Sequence, residues 1–454
     1  MQLSFFSKFL GVLVFLSFGM VSQANALEVL TERDSRVPLA YINVVLRTGS
    51  VADPIGKAGI TNFMGDMLLR GTQRHTKEEI DLLLDQWGAM LGVETRTESV
   101  VIRGAVLSSN LKAFLDLTQE IMTQPTFPQS EIDKVKKETL SGLLAQQGND
   151  NSLAGRKFGQ FMFPGHAYGR PIDGTASEVS KFDRDLLFQQ HRRIFRKELI
   201  LVLGVGDIDR RLMESWANRL VSDLPKSTAE PLPAATKPEF SAPRRLQIVD
   251  KPNRTQTQIL IGQVGTLMTD PDYYALYLGN VAFGGGSFTS RLMQEIRVKR
   301  GWSYGASSAF RFGLQPRSWR VHLFPAEKDT AAALTTSLQL IESLKKDGIT
   351  EKEFQSAKQS SINSAAFIND TPKKRIENRI VEETLGLPEG FFAGLADNLK
   401  KISREDVNRA LAKFLTPEKL TITVVGTAER LKKDLANAVG IPADRVVVTP
   451  YTAD

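Results

Sequence analysis

Residues 59–72 read GITNFMGDMLLRGT. Ile60, Phe63, Met64, Met67 and Leu68 recur at i, i+3, i+4, i+7 and i+8, which predicts a helix with one apolar stripe toward a core. A second face carries Asn62, Gly65 and Asp66. Hydrolysis at a bound zinc ion needs three protein ligands, commonly imidazoles and a carboxylate, an open position for water, and a base to take that water's proton. Asn62 offers only a weak amide oxygen, Gly65 offers no side chain, and Asp66 alone is one hard ligand. The four histidines, His75, His166, His191 and His322, include no pair at helical i, i+4 spacing that could build a substitute. Asp66 is therefore read as a solvated or hydrogen-bonded helix carboxylate, and the chain is expected to hold no metal.

The same stretch resembles the active-site helix of the pitrilysin, insulinase and mitochondrial processing peptidase family of inverted zinc metallopeptidases. In that family the positions of Asn62, Gly65 and Asp66 are His, Glu and His, and a Gly-Thr pair, here Gly71 and Thr72, closes the motif. HAYGRPIDGT (166–175) is similar to a segment recurring in the family's catalytic subunits. SFTSRLMQEIRVKRGWSYGAS (287–307) is similar to the signature of their second halves and is the most specific match.

The resemblance implies roles for further residues. A glutamate at about the distance of Glu138 completes the family's zinc site; with both imidazoles gone, Glu138 is expected to be an ordinary helix carboxylate. Its helix carries Ser130 and Asp133, which resemble a capping box at the start. Arg297 and Tyr304 stand at the spacing at which the family's second half carries an arginine and a tyrosine that reach across a chamber toward the scissile bond. A guanidinium fork and a phenol can hold a peptide carbonyl and stabilise the oxyanion formed when water attacks it. The alternative is an arginine in a surface ion pair and a tyrosine packed at a strand start. Gly284, Gly285 and Gly286 lack the Gly-Lys-Ser/Thr ending of a phosphate loop. They are read either as a loop that contacts a passing peptide or the neighbouring half, or as a helix-to-turn hinge.

The elements that would position these residues occur twice. An ungapped shift of 220 residues lays 181–206 on 401–426, so that Arg184 meets Arg404, Leu187 meets Val407 and Gly206 meets Gly426. Both copies predict a helix feeding an apolar strand. AYINVVLRTGS (40–50) and TQTQILIGQVG (255–265) open the halves as strands ending in glycine, and period-2 strands return in MLGVETRTESVVIRGAV, YGASSAFRFG and WRVHLFPA. With helices near 127–146 and 372–386, the pattern predicts an α+β fold of two homologous halves, each with helices packed on a largely antiparallel sheet. The halves are 27–224 and 245–454, joined by an exposed Pro-rich linker over 225–244.

Lys8, an apolar run from Phe9 to Met20 and Ala24-Asn25-Ala26 have the order of a secretory signal peptide over 1–26. Cleavage after Ala26 would leave a chain with no uncharged stretch approaching twenty residues, hence no stable membrane insertion. No cysteine is present, so neither disulfides nor lipid attachment through cysteine enters, and a bacterial periplasm fits best. The net charge of +7 is spread along the chain, and nucleic acid is not an expected partner.

In the family's bacterial two-chain members one subunit bears the triad, while the other lacks it and supplies the arginine and tyrosine. The resemblance thus implies a non-catalytic, substrate-binding subunit of a heteromeric periplasmic zinc metalloendopeptidase that degrades or processes peptides. Its partner would be a homologous subunit with an intact His-x-x-Glu-His motif, and the zinc would belong to that partner. The alternative is an inactive family member serving as a peptide-binding or scaffold protein without a peptidase partner.

Overall fold

The computed structural model describes residues 27–226, 232, 236–238, 243–286 and 288–454. The expected signal peptide lies outside them, as does most of the Pro-rich segment.

Runs of β-branched and apolar residues form two sheets. The first contains β1 (Glu28–Arg33), β2 (Leu39–Leu46), β3 (Met90–Thr95), β4 (Val100–Leu107) and β5 (Ile200–Gly206) in the order β1-β5-β2-β4-β3, with only β1 and β5 parallel. The second contains β6 (Arg245–Asp250), β7 (Gln258–Val264), β8 (Ser303–Phe310), β9 (Ser318–Pro325), β10 (Thr421–Gly426) and β11 (Val447–Pro450). Its order is β11-β6-β10-β7-β9-β8, with β6 parallel to both β10 and β11. Without β11, the second order repeats the first strand for strand. The internal likeness over 181–206 and 401–426 has its structural counterpart: helix Arg184–Ile194 leads to β5, and helix Arg404–Phe414 leads to β10. The α+β reading in two homologous halves holds.

Both faces of each sheet are apolar, so each needs two covers. One face of the first sheet, with Ile42, Val44, Ile102 and Val202, packs on that half's own helices, among them Ile60–Leu68 and Arg210–Ser222. Its other face, with Val45, Val101, Leu201 and Leu203, is covered by Ile376 and Ile380 of helix Pro372–Leu385 from the second half. The second sheet is built the same way. Val249, Leu260 and Val425 on its outer face meet Leu153, Ala154, Phe158 and Met162 of helix Asp150–Met162 from the first half.

Each half thus lends a helix to the other's open sheet. Ion pairs rim the exchange: Arg375 to Glu32 at 2.6 Å, Arg47 to Glu383 at 2.8 Å, Arg96 to Glu377 at 3.1 Å and Lys251 to Asp150 at 2.5 Å.

One local expectation is corrected. Helix Gln129–Gly148 begins at Pro128, whose fixed φ of −59 presets the first turn, and it has no side-chain cap. Ser130 and Asp133 therefore lie inside the helix, where Asp133 accepts from Gln129 Nε2 at 2.9 Å. Within 225–244 a few described residues make contacts. Leu232 packs against the first core, Pro238 is buried, and Arg244 donates its backbone N–H to Glu418 at 2.7 Å.

Candidate functional site

The 60–68 helix forms as its apolar stripe predicts: Ile60, Phe63, Met64, Met67 and Leu68 are all buried. Its start is fixed by tertiary contacts. Gly59 has φ +90 and lies against Gly174, φ +74; a Cβ on Gly59 would stand 2.6 Å from the Gly174 Cα. The buried Asp53 carboxylate accepts from the Gly59 and Thr61 backbone N–H groups at 2.7 and 3.1 Å and from the Thr61 hydroxyl, satisfying donors that a helix start leaves free. Burial pushes its carboxyl up to about 6, against the pull of those hydrogen bonds and of Arg170. Arg170, from HAYGRPIDGT, braces the same corner by donating to the Asp53 and Val51 carbonyls at 2.5 and 3.2 Å.

Asn62, Gly65, Asp66 and Glu138 do come together, lining one cavity of about 530 Å³ whose walls include Leu69, Ile80 and Leu91. Asn62 Nδ2 donates to Asp66 at 3.3 Å. Asp66 is exposed to solvent yet lines the concave wall of the cavity, with protein around it on several sides. That desolvation raises its carboxyl to about 6; Arg70 opposes the rise and Glu138 adds to it. Glu138 is already engaged, accepting from Arg70 Nη2 at 2.8 Å. One turn on, Gly142 lines the same cavity without a side chain.

The residues present do not fit zinc. The helix supplies no imidazole, the candidate third ligand, Glu138, is neutralised by Arg70, and Gly65 leaves no base. Among the described residues no cluster of three or more His, Asp or Glu could hold a metal ion.

Arg297 and Tyr304 meet outside that cavity. The Arg297 guanidinium carbon lies 4.0 Å from the Tyr304 ring centroid and 4.6 Å from that of Phe288, so the cation lies against both rings. Tyr304 is 75% exposed and Phe288 55%, and Arg297 makes no ion pair among the described residues. Tyr304 is the second residue of β8, and its one ring or cation contact among the described residues is with the Arg297 guanidinium. Stacking restricts the guanidinium's orientation while leaving its N–H edge available to an incoming acceptor.

The glycine run stands where the helical segment Tyr273–Gly285 gives way to extended backbone at Gly286. Gly284 and Gly285 close a π-helical turn, Val281–Gly285, that packs on β8. A Cβ on Gly284 would lie 2.5 Å from Leu292 Cδ1 and 2.7 Å from the Ser308 backbone nitrogen, so this glycine permits close packing. Gly285 and Gly286 line a separate cavity with Ser290 and the helix Glu351–Ala365. Sequence reasoning missed Asp53, Arg70 and Arg170, because nothing in their local spacing reveals the long-range partners that give them their roles.

Comparison with known proteins agrees with this geometry. Residues 28–176 match the family described as Insulinase (Peptidase family M16), and residues 181–361 match Peptidase M16 inactive domain. The chain is 26% identical over 418 residues to Non-peptidase homolog YmxG of Helicobacter pylori, covering 91% of this chain and 94% of that protein. It is 28% identical over 296 residues to an uncharacterized zinc protease of Rickettsia bellii, covering 64% and 69%. A solved structure, the peptidase M16 inactive domain from Pseudomonas fluorescens, superposes with a TM-score of 0.79 at 25% identity, covering 89% of this chain and 96% of that one.

Fold and site together define a member of the insulinase (M16) family. Within it this chain is an inactive member and a homologue of the non-peptidase YmxG: the helix that bears the family's metal triad is kept, and its ligands are gone.

Proposed function

We propose that this chain is the non-catalytic, substrate-binding subunit of a heteromeric periplasmic zinc metalloendopeptidase that degrades or processes peptides. The observation that carries the reading is the state of Arg297 and Tyr304. They are two hydrogen-bond donors held together on an exposed surface, without an ion pair, on a chain whose own metal site is empty of ligands. Donors arranged this way suit a peptide carbonyl oxygen as it takes on negative charge, and they act with most effect where their orientation is set beforehand. Zinc and the base would come from a homologous partner with an intact His-x-x-Glu-His motif. Export to the periplasm rests on the signal-peptide order of residues 1–26.

The test is co-expression with a triad-bearing homologue from the same genome. The expected result is a stable complex with one zinc per pair, held by the partner, and with peptidase activity that neither chain shows alone. Failure of the two to co-purify, with the homologue fully active unaided, would overturn this reading in favour of a scaffold.

A further inference from the structure

We propose that the cavity between the two halves, lined by Arg156, Arg170, Arg311, Arg317 and Arg320, binds a compact, multiply charged oxyanion, a phosphate or polycarboxylate. The site is independent of the peptide-binding reading above.

The cavity measures about 420 Å³, and among its lining residues five arginines face a single carboxylate, Asp173. That carboxylate is spoken for: Arg156 Nη1 and Gln146 Nε2 donate to it at 3.1 and 2.5 Å. Arg170 spends its terminal nitrogens on the Asp53 and Val51 carbonyls, while its Nε is buried with no partner. The side chains of Arg311, Arg317 and Arg320 make no hydrogen bond or ion pair with any described residue; Arg317 only overlies the Tyr168 ring at 5.3 Å. Glu98, the carboxylate whose field reaches Arg317, accepts from the Tyr168 hydroxyl at 2.5 Å and the Leu314 N–H at 3.0 Å.

Such crowding of like charge is costly unless a counter-charge arrives. Its effect is visible on the groups themselves. Burial, with Arg311 and Arg317 adding, pushes Arg320 down to about 10. His322, two residues along the same face of β9, is pushed down to about 4 by burial and by Arg320.

Guanidinium forks match carboxylate and phosphate oxygens in pairs, so three free forks suit a ligand with several oxyanion groups. Arg156 and Arg170 come from the first half, the other three from the second. A bound anion would therefore tie the halves together. It would also use Arg170 of HAYGRPIDGT, a segment whose part in the molecule is otherwise structural.

The experiment uses the full chain, titrated calorimetrically and melted with inorganic pyrophosphate, with citrate, and with sodium chloride at matched ionic strength. The expected result is saturable binding and a raised melting temperature with pyrophosphate or citrate and not with chloride. Pyrophosphate alone assigns a phosphate, and citrate alone a polycarboxylate. Arg311→Gln and Arg320→Gln should each weaken binding roughly tenfold or more. Without anion, Arg320→Gln should melt no lower than the wild type, since it removes repulsion. A shift no larger than that in chloride, or variants that bind as the wild type does, would overturn the proposal.

Discussion

Helix Ile60–Leu68 and segment Tyr273–Gly285 occupy the same place in the repeated topology, each the first helix after the central strand of its sheet, β2 or β7. They have diverged in opposite directions. The first keeps a regular helix and a fully buried apolar stripe, while the face over the cavity has lost every ligand. The second passes into a π-helical turn, and a further π-helical segment, Met293–Val298, leads to β8 with Arg297 and Tyr304 stacked at the surface. Packing residues and chemical residues are separate sets on one element. A stripe held by a core resists change because large-to-small exchange leaves a cavity, whereas a face over solvent is free to lose its ligands without cost to the fold.

The largest expected effect sets the two sites against each other in function. In the proposed complex with a triad-bearing homologue, Arg297→Ala or Tyr304→Phe should each lower turnover by roughly a hundredfold, the loss typical of one oxyanion donor, with little change in KM. The double change should be less than additive, since both act on one developing charge. Asn62→Ala, on the abandoned face, should leave turnover within about twofold. Steady-state kinetics on complexes of verified stoichiometry and zinc content decide it; near-normal turnover in both single variants would reduce Arg297 and Tyr304 to packing residues.

A smaller effect contrasts the two glycines. Gly284→Ala drives a Cβ into Leu292 and the Ser308 backbone and should cost about 2 kcal/mol in a urea melt. At Gly65 the new Cβ would stand 3.1 Å from Val93 Cγ1 and 3.2 Å from Thr95 Oγ1. There the helix-propensity gain of about 1 kcal/mol offsets the crowding, leaving Gly65→Ala within about 1 kcal/mol of wild type. Equal costs at both sites would refute the contrast.

The smallest effect is electrostatic. Folding raises the Asp66 carboxyl from the usual carboxylate range to about 6, so the folded chain binds that proton more tightly than the unfolded chain. Ionising Asp66 then costs stability that sets in as pH rises above ~4 and is complete above about 6. Asp66→Asn should therefore gain melting temperature on the wild type at pH 7 relative to pH 4, modestly because the side chain touches solvent. A difference independent of pH would return Asp66 to an ordinary solvated carboxylate.

Much of this was legible in the residues. The buried stripe of the 60–68 helix follows from its period, the strands from their alternation, and the duplication from the match of Gly206 with Gly426. The Arg297 and Tyr304 pair was picked out by its resemblance to the family's second half, and a π-helical segment followed by a tight bend brings the two side by side. The capping box expected at Ser130 does not form, since local side-chain pattern competes with the preset φ of Pro128. The close packing of Gly284 was not legible, because the strand that crowds it, β8, lies some twenty residues away.

The sequence by itself determined which segments are helix and strand, that the design is made twice, and that the metal chemistry of the first helix is lost. These depend on residue type and short-range period, which act within a few residues of chain. Only the tertiary structure decided that each half covers the other's sheet with a borrowed helix, that Arg70 claims Glu138, and that five arginines from two halves meet around one aspartate. Those outcomes turn on burial and on charges brought together from distant positions, so they are properties of the packed chain and not of any segment read alone.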